Sequence, residues 1–265
     1  MIADFAPDPE RRFGALRRLY GDAGYERLRA ARIAVVGLGG VGSWAVEALA
    51  RSGVAALTLI DLDHIAESNI NRQVQALSAP IGQSKADALA ARVRDIHPAC
   101  AVHVVEEFAG ADNWPALLPQ PVDAVIDACD QVRAKQALAA WALQQRGAFV
   151  CVGAAGGKQL AHKTDVDDIA NATHDPLLAA LRQRLRQQHG AARKGPMGLA
   201  CVFSRENVRM PEGECDIDGN LNCHGYGSSV TVTASFGFAA AGDAIQQLLN
   251  PRSNPRQERV EKQPL

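Results

Sequence analysis

Five groups of residues in this chain have the types and the order needed to hold a phosphate-bearing ligand. The first is Gly37-Leu-Gly39-Gly40-Val-Gly42, a G-x-G-x-x-G run between an apolar stretch and a helical pattern. Glycines there let the backbone approach a phosphate, and the helix N-terminus supplies N–H donors and positive potential. Asp61 follows about 20 residues on, with Asp63 beside it, where a carboxylate can accept hydrogen bonds from ribose hydroxyls. This points to a nucleotide and leaves NAD and ATP undivided; a glycine turn that binds nothing is the competing reading. The next groups divide them. Ser68-Asn69-Ile-Asn-Arg72 and Gly82-Gln-Ser-Lys85 bring two cations toward the same edge. Such a pair suits a triphosphate, whose charge rises at the transferring phosphorus, and NAD needs no such pair. Asp127-Ala-Cys-Asp130 adds an acid able to hold Mg²⁺ across phosphate oxygens. Solvated surface charge is the alternative for each cation, and a helix cap the alternative for the acid.

These groups need elements that deliver them to one edge. Apolar runs at 33–37, Ala56–Ile60, 102–105, 124–126 and Ala148–Val152 read as buried strands. Helical patterns at 11–29, 41–51, Lys85–Ile96 and 133–145 precede or separate them. The alternation predicts an α/β fold, a doubly wound, mostly parallel sheet of Rossmann type with a C-terminal α/β extension. After Gly153 the rhythm breaks: a flexible loop over 153–157, a basic helix over Pro176–Gln188, a loop over 210–227 and a last helix over Val230–Leu249. We read one domain over 12–250, with an ATP-binding half at 12–155 and a substrate-binding half at 156–250. A disordered tail is expected over 251–265.

The bulk numbers bound the function. The chain has 265 residues and a formal net charge of −1, so any nucleic-acid signal must be local. None of the six cysteines forms a CxxC pair, and no apolar stretch behind basic residues opens the chain, which predicts reduced thiols in a cytoplasmic protein. Cys129 and Cys151, at the ends of apolar runs, read as core. No apolar run is long enough to span a membrane.

Taken together and in order, the glycine loop, Asp61-Leu-Asp63, Ser68 to Arg72, Gly82 to Lys85 and Ala128-Cys-Asp130 resemble the ubiquitin-activating-like superfamily, which includes the MoeB and ThiF adenylating enzymes. The resemblance implies that ATP·Mg²⁺ adenylates a carboxylate and releases pyrophosphate. It implies that Gly40 lies against the phosphates, Asp61 holds the ribose, Asn69, Arg72 and Lys85 contact phosphates, and Asp130 contacts the metal. It also implies a homodimer in which an arginine from the partner's N-terminal region reaches the phosphates; Arg18 is the first choice and Arg12 the second. A monovalent cation is a further expectation. MoeB and ThiF carry two CxxC pairs for zinc, and this chain carries none, so no zinc is expected.

A closer likeness runs through Arg12-Phe-Gly, Arg18-Leu-Tyr-Gly21, Gly40-Val-Gly-Ser-Trp44, Asn71-Arg-Gln73, Asp175-Pro-Leu177, Cys201-Val-Phe-Ser204 and Phe236-Gly-Phe238. These resemble the tRNA threonylcarbamoyladenosine dehydratases over nearly the whole chain. That implies ATP-dependent closure of a threonyl carboxylate onto the carbamoyl nitrogen of a modified adenosine beside the anticodon. Adenylation of the C-terminus of a ubiquitin-like sulfur carrier is the alternative. Residues 176–205 contain no Asp or Glu but contain Arg182, Arg184, Arg186, Arg193 and Lys194, the candidate tRNA contacts; a solvated basic helix is the competing reading. The resemblance also implies that a cysteine near Cys223 can accept sulfur from a cysteine desulfurase partner. Ring closure itself is expected to proceed without it, and His224 beside it reads as a loop histidine.

Overall fold

The computed structural model of the chain describes residues 6–145, 147–209 and 226–250. The expected loop over 210–227, for most of its length, Cys223, His224 and the expected tail lie outside the described residues.

The five strands foreseen pair in parallel: β1 (Arg32–Val36), β2 (Ala56–Ile60), β3 (Ala101–Val105), β4 (Ala124–Asp127) and β5 (Ala148–Val152). Two more were not foreseen. β6 (Thr164–Asp168) and β7 (Ala200–Ser204) extend the same sheet, giving the order β3-β2-β1-β4-β5-β7-β6. β7 runs parallel to β5, and β6 closes the edge antiparallel to β7. The expected C-terminal extension is therefore continuous with the sheet, and the two halves divided in the sequence share one set of strands.

Among the described residues, seven helices cover the two faces: α1 (Pro9–Phe13), α2 (Ala15–Ala30), α3 (Gly42–Arg51), α4 (Lys85–Ile96), α5 (Val132–Ala142), α6 (Pro176–Gln188) and α7 (Val230–Leu249). Alternation along β1 assigns its side chains to both cores. Ile33 and Val35 join Leu49, Leu89 and Phe236 on one face, while Ala34 and Val36 join Leu138, Leu181 and Phe203 on the other. This two-sided burial is why the strands read as unbroken apolar runs.

α7 packs along α3 at close range. A Cβ on Gly237 would stand 2.5 Å from the Val41 carbonyl oxygen and 2.7 Å from Trp44 Cβ. Only glycine lets the last helix lie against the helix that follows the glycine loop.

α1 and α2 are tied to the distal end of α4. The Arg12 guanidinium donates to the carbonyls of Asp95 and Ile96, where a helix C-terminus leaves acceptors unpaired. His97, 2% exposed, sits 4.7 Å from the Phe13 ring and 2.9 Å from Arg29 Nη1 through its Nε2. Burial, then Arg29, then Arg12 push its pKa down to about 4. An unfolded chain takes up this proton near the ordinary value of 6.5. Stability from neutral His97 is therefore complete above about pH 6.5 and is lost as pH falls toward 4, by up to about 3 kcal/mol. A denaturant series from pH 7 to pH 4 should show this loss in the parent chain and a smaller one in His97→Gln.

Candidate active site

The carboxyl ends of β1, β2 and β4 meet at one level, because Val36 is in register with both Ile60 and Asp127. The cleft over that edge is lined by Gly37, Gly39, Gly40, Asp61, Asp63, Ser68, Asn69, Arg72, Lys85 and Asp130. Of the residues expected at the nucleotide, Gly42 does not line it. Gly42 instead opens α3 so close to Gly37 that a Cβ would fall onto the Gly37 carbonyl oxygen. Gly37 has φ +85°, and a Cβ there would meet Cys129 N at 2.8 Å and the Ala128 carbonyl oxygen at 2.9 Å. Gly42 thus serves the fold of the loop alone and Gly37 both the fold and the cleft wall, while Gly39 and Gly40 line the cleft.

Asp61 is spent twice. Its Oδ2 accepts the Leu38 N–H at 2.6 Å and its Oδ1 accepts the Asp63 N–H at 2.8 Å. Burial raises its pKa, opposed by the Leu38 N–H and by Lys85. Each oxygen keeps a lone pair for a further donor, so a ribose hydroxyl can still be received.

The two expected cations are held in different ways. Lys85, the first residue of α4, is 8% exposed and pairs with Asp63 at 2.7 Å. The Arg72 guanidinium donates to the Ser68 carbonyl at 2.7 Å and to Asn71 Oδ1 at 2.9 Å, and its stem lies beside Gly40. Trp44 Nε1 donates to the Arg72 carbonyl at 2.9 Å, fixing this turn against α3. Asn69 is bound locally: its Oδ1 accepts the Ala66 N–H.

Asp130 is exposed at the cleft, and α5 is capped by Gln131 with no side-chain cap bond. The helix-cap reading of Asp130 is not what the structure shows. Beneath it lies a pair that sequence reasoning missed. Asp127 and Lys135 are both fully buried, with Nζ 3.0 Å from Oδ1. Burial pushes Lys135 down, but the Asp127 carboxylate more than offsets this and holds its pKa above the ordinary range. Phe108, 55% exposed after β3, also lines the cleft; nothing in its spacing flagged it. The 153–157 loop contributes Gly153 to Gly156.

The remaining candidates lie elsewhere. Arg18 is exposed, makes no hydrogen bond among the described residues and does not line its own chain's cleft. Of the basic stretch, Arg182 donates to the carbonyls of Ile169 and Ala172, Arg184 to Gln136, and Arg186 to the Ala192 carbonyl. Arg193 and Lys194 are exposed beyond the end of α6. Among the described residues no cluster of three His, Cys, Asp or Glu is placed to hold a metal, and no helix is long and apolar enough to cross a membrane.

A glycine turn, strand-end acids and two cations gathered on the carboxyl edge of a mostly parallel sheet define an α/β protein of Rossmann type. The chain belongs to the ThiF family, whose model matches residues 13–263. It is 40% identical to the tRNA threonylcarbamoyladenosine dehydratase of Escherichia coli (strain K12), over 90% of this chain and 93% of that protein. Two solved structures of E. coli tRNA N6-threonylcarbamoyladenosine dehydratase, TcdA, are also similar. The complex with ATP superposes with a TM-score of 0.81 at 38% identity, covering 96% of this chain and 97% of that one. The complex with AMP gives 0.83 at 40%, covering 91% and 96%.

Proposed function

We propose that this chain is an ATP-dependent tRNA threonylcarbamoyladenosine dehydratase. The observation that carries the reading is likeness along nearly the full length to a dehydratase solved with ATP and with AMP. The cleft supports it. A carboxylate is a poor electrophile, and transfer to the α-phosphorus of ATP makes its oxygen a good leaving group, with pyrophosphate released. A nitrogen of the substrate's own carbamoyl group then attacks the acyl carbon, its proton is lost, and AMP leaves. The net change in the nucleoside is loss of one water. Because the nucleophile is tethered, the protein's task is alignment and charge neutralisation.

Asp61 would receive the ribose, Gly39 and Gly40 the phosphates, and Arg72 and Lys85 the charge that grows during transfer. For Lys85 this means loosening from Asp63. Mg²⁺ commonly takes one or two carboxylates and otherwise phosphates and water, so Asp130 alone beside the phosphate turn fits it. Asp130 would hold the metal, which would supply positive charge to offset the phosphates. Cys100, Cys129, Cys151 and Cys201, free thiols among the described residues, suit a reducing compartment such as the cytoplasm.

Incubation with ATP, Mg²⁺ and threonylcarbamoylated tRNA, followed by digestion and mass spectrometry, should show the modified adenosine lighter by one water. Pyrophosphate exchange stimulated instead by a Gly-Gly-ending carrier protein, with no change in the tRNA, would favour the sulfur-carrier alternative.

The structure reorders the candidate tRNA contacts. Arg193 and Lys194 have no partner among the described residues, whereas Arg182 is committed to two carbonyls of its own chain. Arg193→Glu with Lys194→Glu should weaken tRNA binding by about tenfold or more at moderate salt and flatten its salt dependence, with ATP affinity retained. Arg182→Glu should chiefly lower the melting temperature.

Arg18 suits action in a partner's cleft better than Arg12, which is already bound to the end of α4. In a homodimer, mixing Arg18→Ala chains with Asp61→Ala chains should restore part of the lost turnover. Verified heterodimers without restored turnover would remove the assignment.

A further inference from the structure

We propose that the buried Asp127–Lys135 pair positions the phosphate and metal end of the cleft. The proposal rests on the ATP reading above and deepens it. An ammonium has three N–H donors. Lys135 Nζ places them on Asp127 Oδ1 at 3.0 Å, the Cys129 carbonyl at 2.9 Å and the Asp127 carbonyl at 3.3 Å. Two of the three partners are backbone carbonyls of the turn that joins β4 to α5. That turn carries Asp130 into the cleft. It also lies against the phosphate loop, for the Ala128 N–H donates to the Val36 carbonyl at 2.8 Å, and Ala128 and Cys129 crowd Gly37. One ammonium therefore fixes the direction of the Asp127–Ala128 and Cys129–Asp130 peptides.

Stability alone is a poor reason for such a pair, since a buried ion pair commonly gains little over apolar side chains of similar volume. Asp127 Oδ2 has no hydrogen-bond partner among the described residues, so the carboxylate is not even fully satisfied. What the pair supplies that apolar side chains cannot is a donor aimed at both carbonyls. Asp127 and Lys135 do not line the cleft. They act through the turn and are positioning residues.

The test uses the full chain and calorimetric binding of two probes, AMP and a non-hydrolysable ATP analogue with Mg²⁺. Asp127→Asn with Lys135→Met removes both charges together and leaves no donor for the carbonyls. It should bind AMP within about twofold of the parent and the ATP analogue about tenfold more weakly. Asp127→Asn with Lys135→Gln restores one amide donor and should recover most of that loss. Asp127→Asn alone, nearly isosteric, should show the same split at about threefold. Parent-like affinity for both probes in the variants that fold, or equal loss of both, would overturn the proposal, as would identical behaviour of the Met and Gln variants. A parent chain that binds neither probe would overturn the ATP reading together with it.

Discussion

The geometry of the cleft depends on one hydrogen bond, from the Leu38 N–H to the Asp61 carboxylate. Parallel pairing brings the ends of β1 and β2 to the same level, but it does not decide which way the chain turns after β1. A buried carboxylate at the end of β2 decides it by accepting an N–H from inside the turn. The turn can then wind tightly enough for Gly42 to approach Gly37, and α3 starts where its N-terminus serves the cleft. The cost is a carboxylate held out of water, visible as a raised pKa. Two backbone N–H groups and Lys85 offset that cost. Asp61 is thus a structural acceptor before it meets any ligand.

Much of this was legible in the sequence, for a physical reason. Strands buried on both faces must be apolar throughout, so β1, β2, β4 and β5 stand out, and glycines that prevent clashes leave a spaced signature. β6 was not legible because Thr164-Asp-Val-Asp-Asp168 lies at an edge where only one side needs cover, so its composition looks like a loop. β7 is apolar, but it follows an irregular stretch and has no helix pattern leading into it. The cleft residues were visible because Asp61, Asp63 and Asp130 are acids just past strand ends, and Ser68, Asn69, Arg72 and Lys85 are polar residues gathered between β2 and the start of α4. Asp127 and Lys135 were not, because a lysine eight residues after an aspartate reads as a solvated charge on a helix until the sheet is seen to cover it. The same limit applied to the arginines. Nothing in the sequence separates Arg182, committed to two carbonyls, from Arg193, exposed to solvent.

The structure sorts the cations by what they neutralise. Arg12, Arg29 and Arg182 donate to backbone carbonyls left over by turns and helix ends, which is a structural use of charge. Arg92 and Arg51 share the buried Glu47 between α4 and α3. Lys135 holds a turn. Arg18, Arg193 and Lys194 are left facing outward, so a chain with almost no net charge still offers local positive surface. A count of basic residues over 176–205 overstates that surface, because the helical arginines are already engaged.

The acidic edge strand has a further consequence, for colloidal behaviour. A sheet that ends in an open strand offers a template to any other extended chain, and natural proteins guard such edges with charge. β6 carries Asp165, Asp167 and Asp168 in five residues. The Asn171 amide holds Asp167 ionised below the ordinary carboxylate range. Charge set into the strand that closes the sheet thus disfavours pairing with the same edge of a second copy, so the guard against association is built into the fold itself.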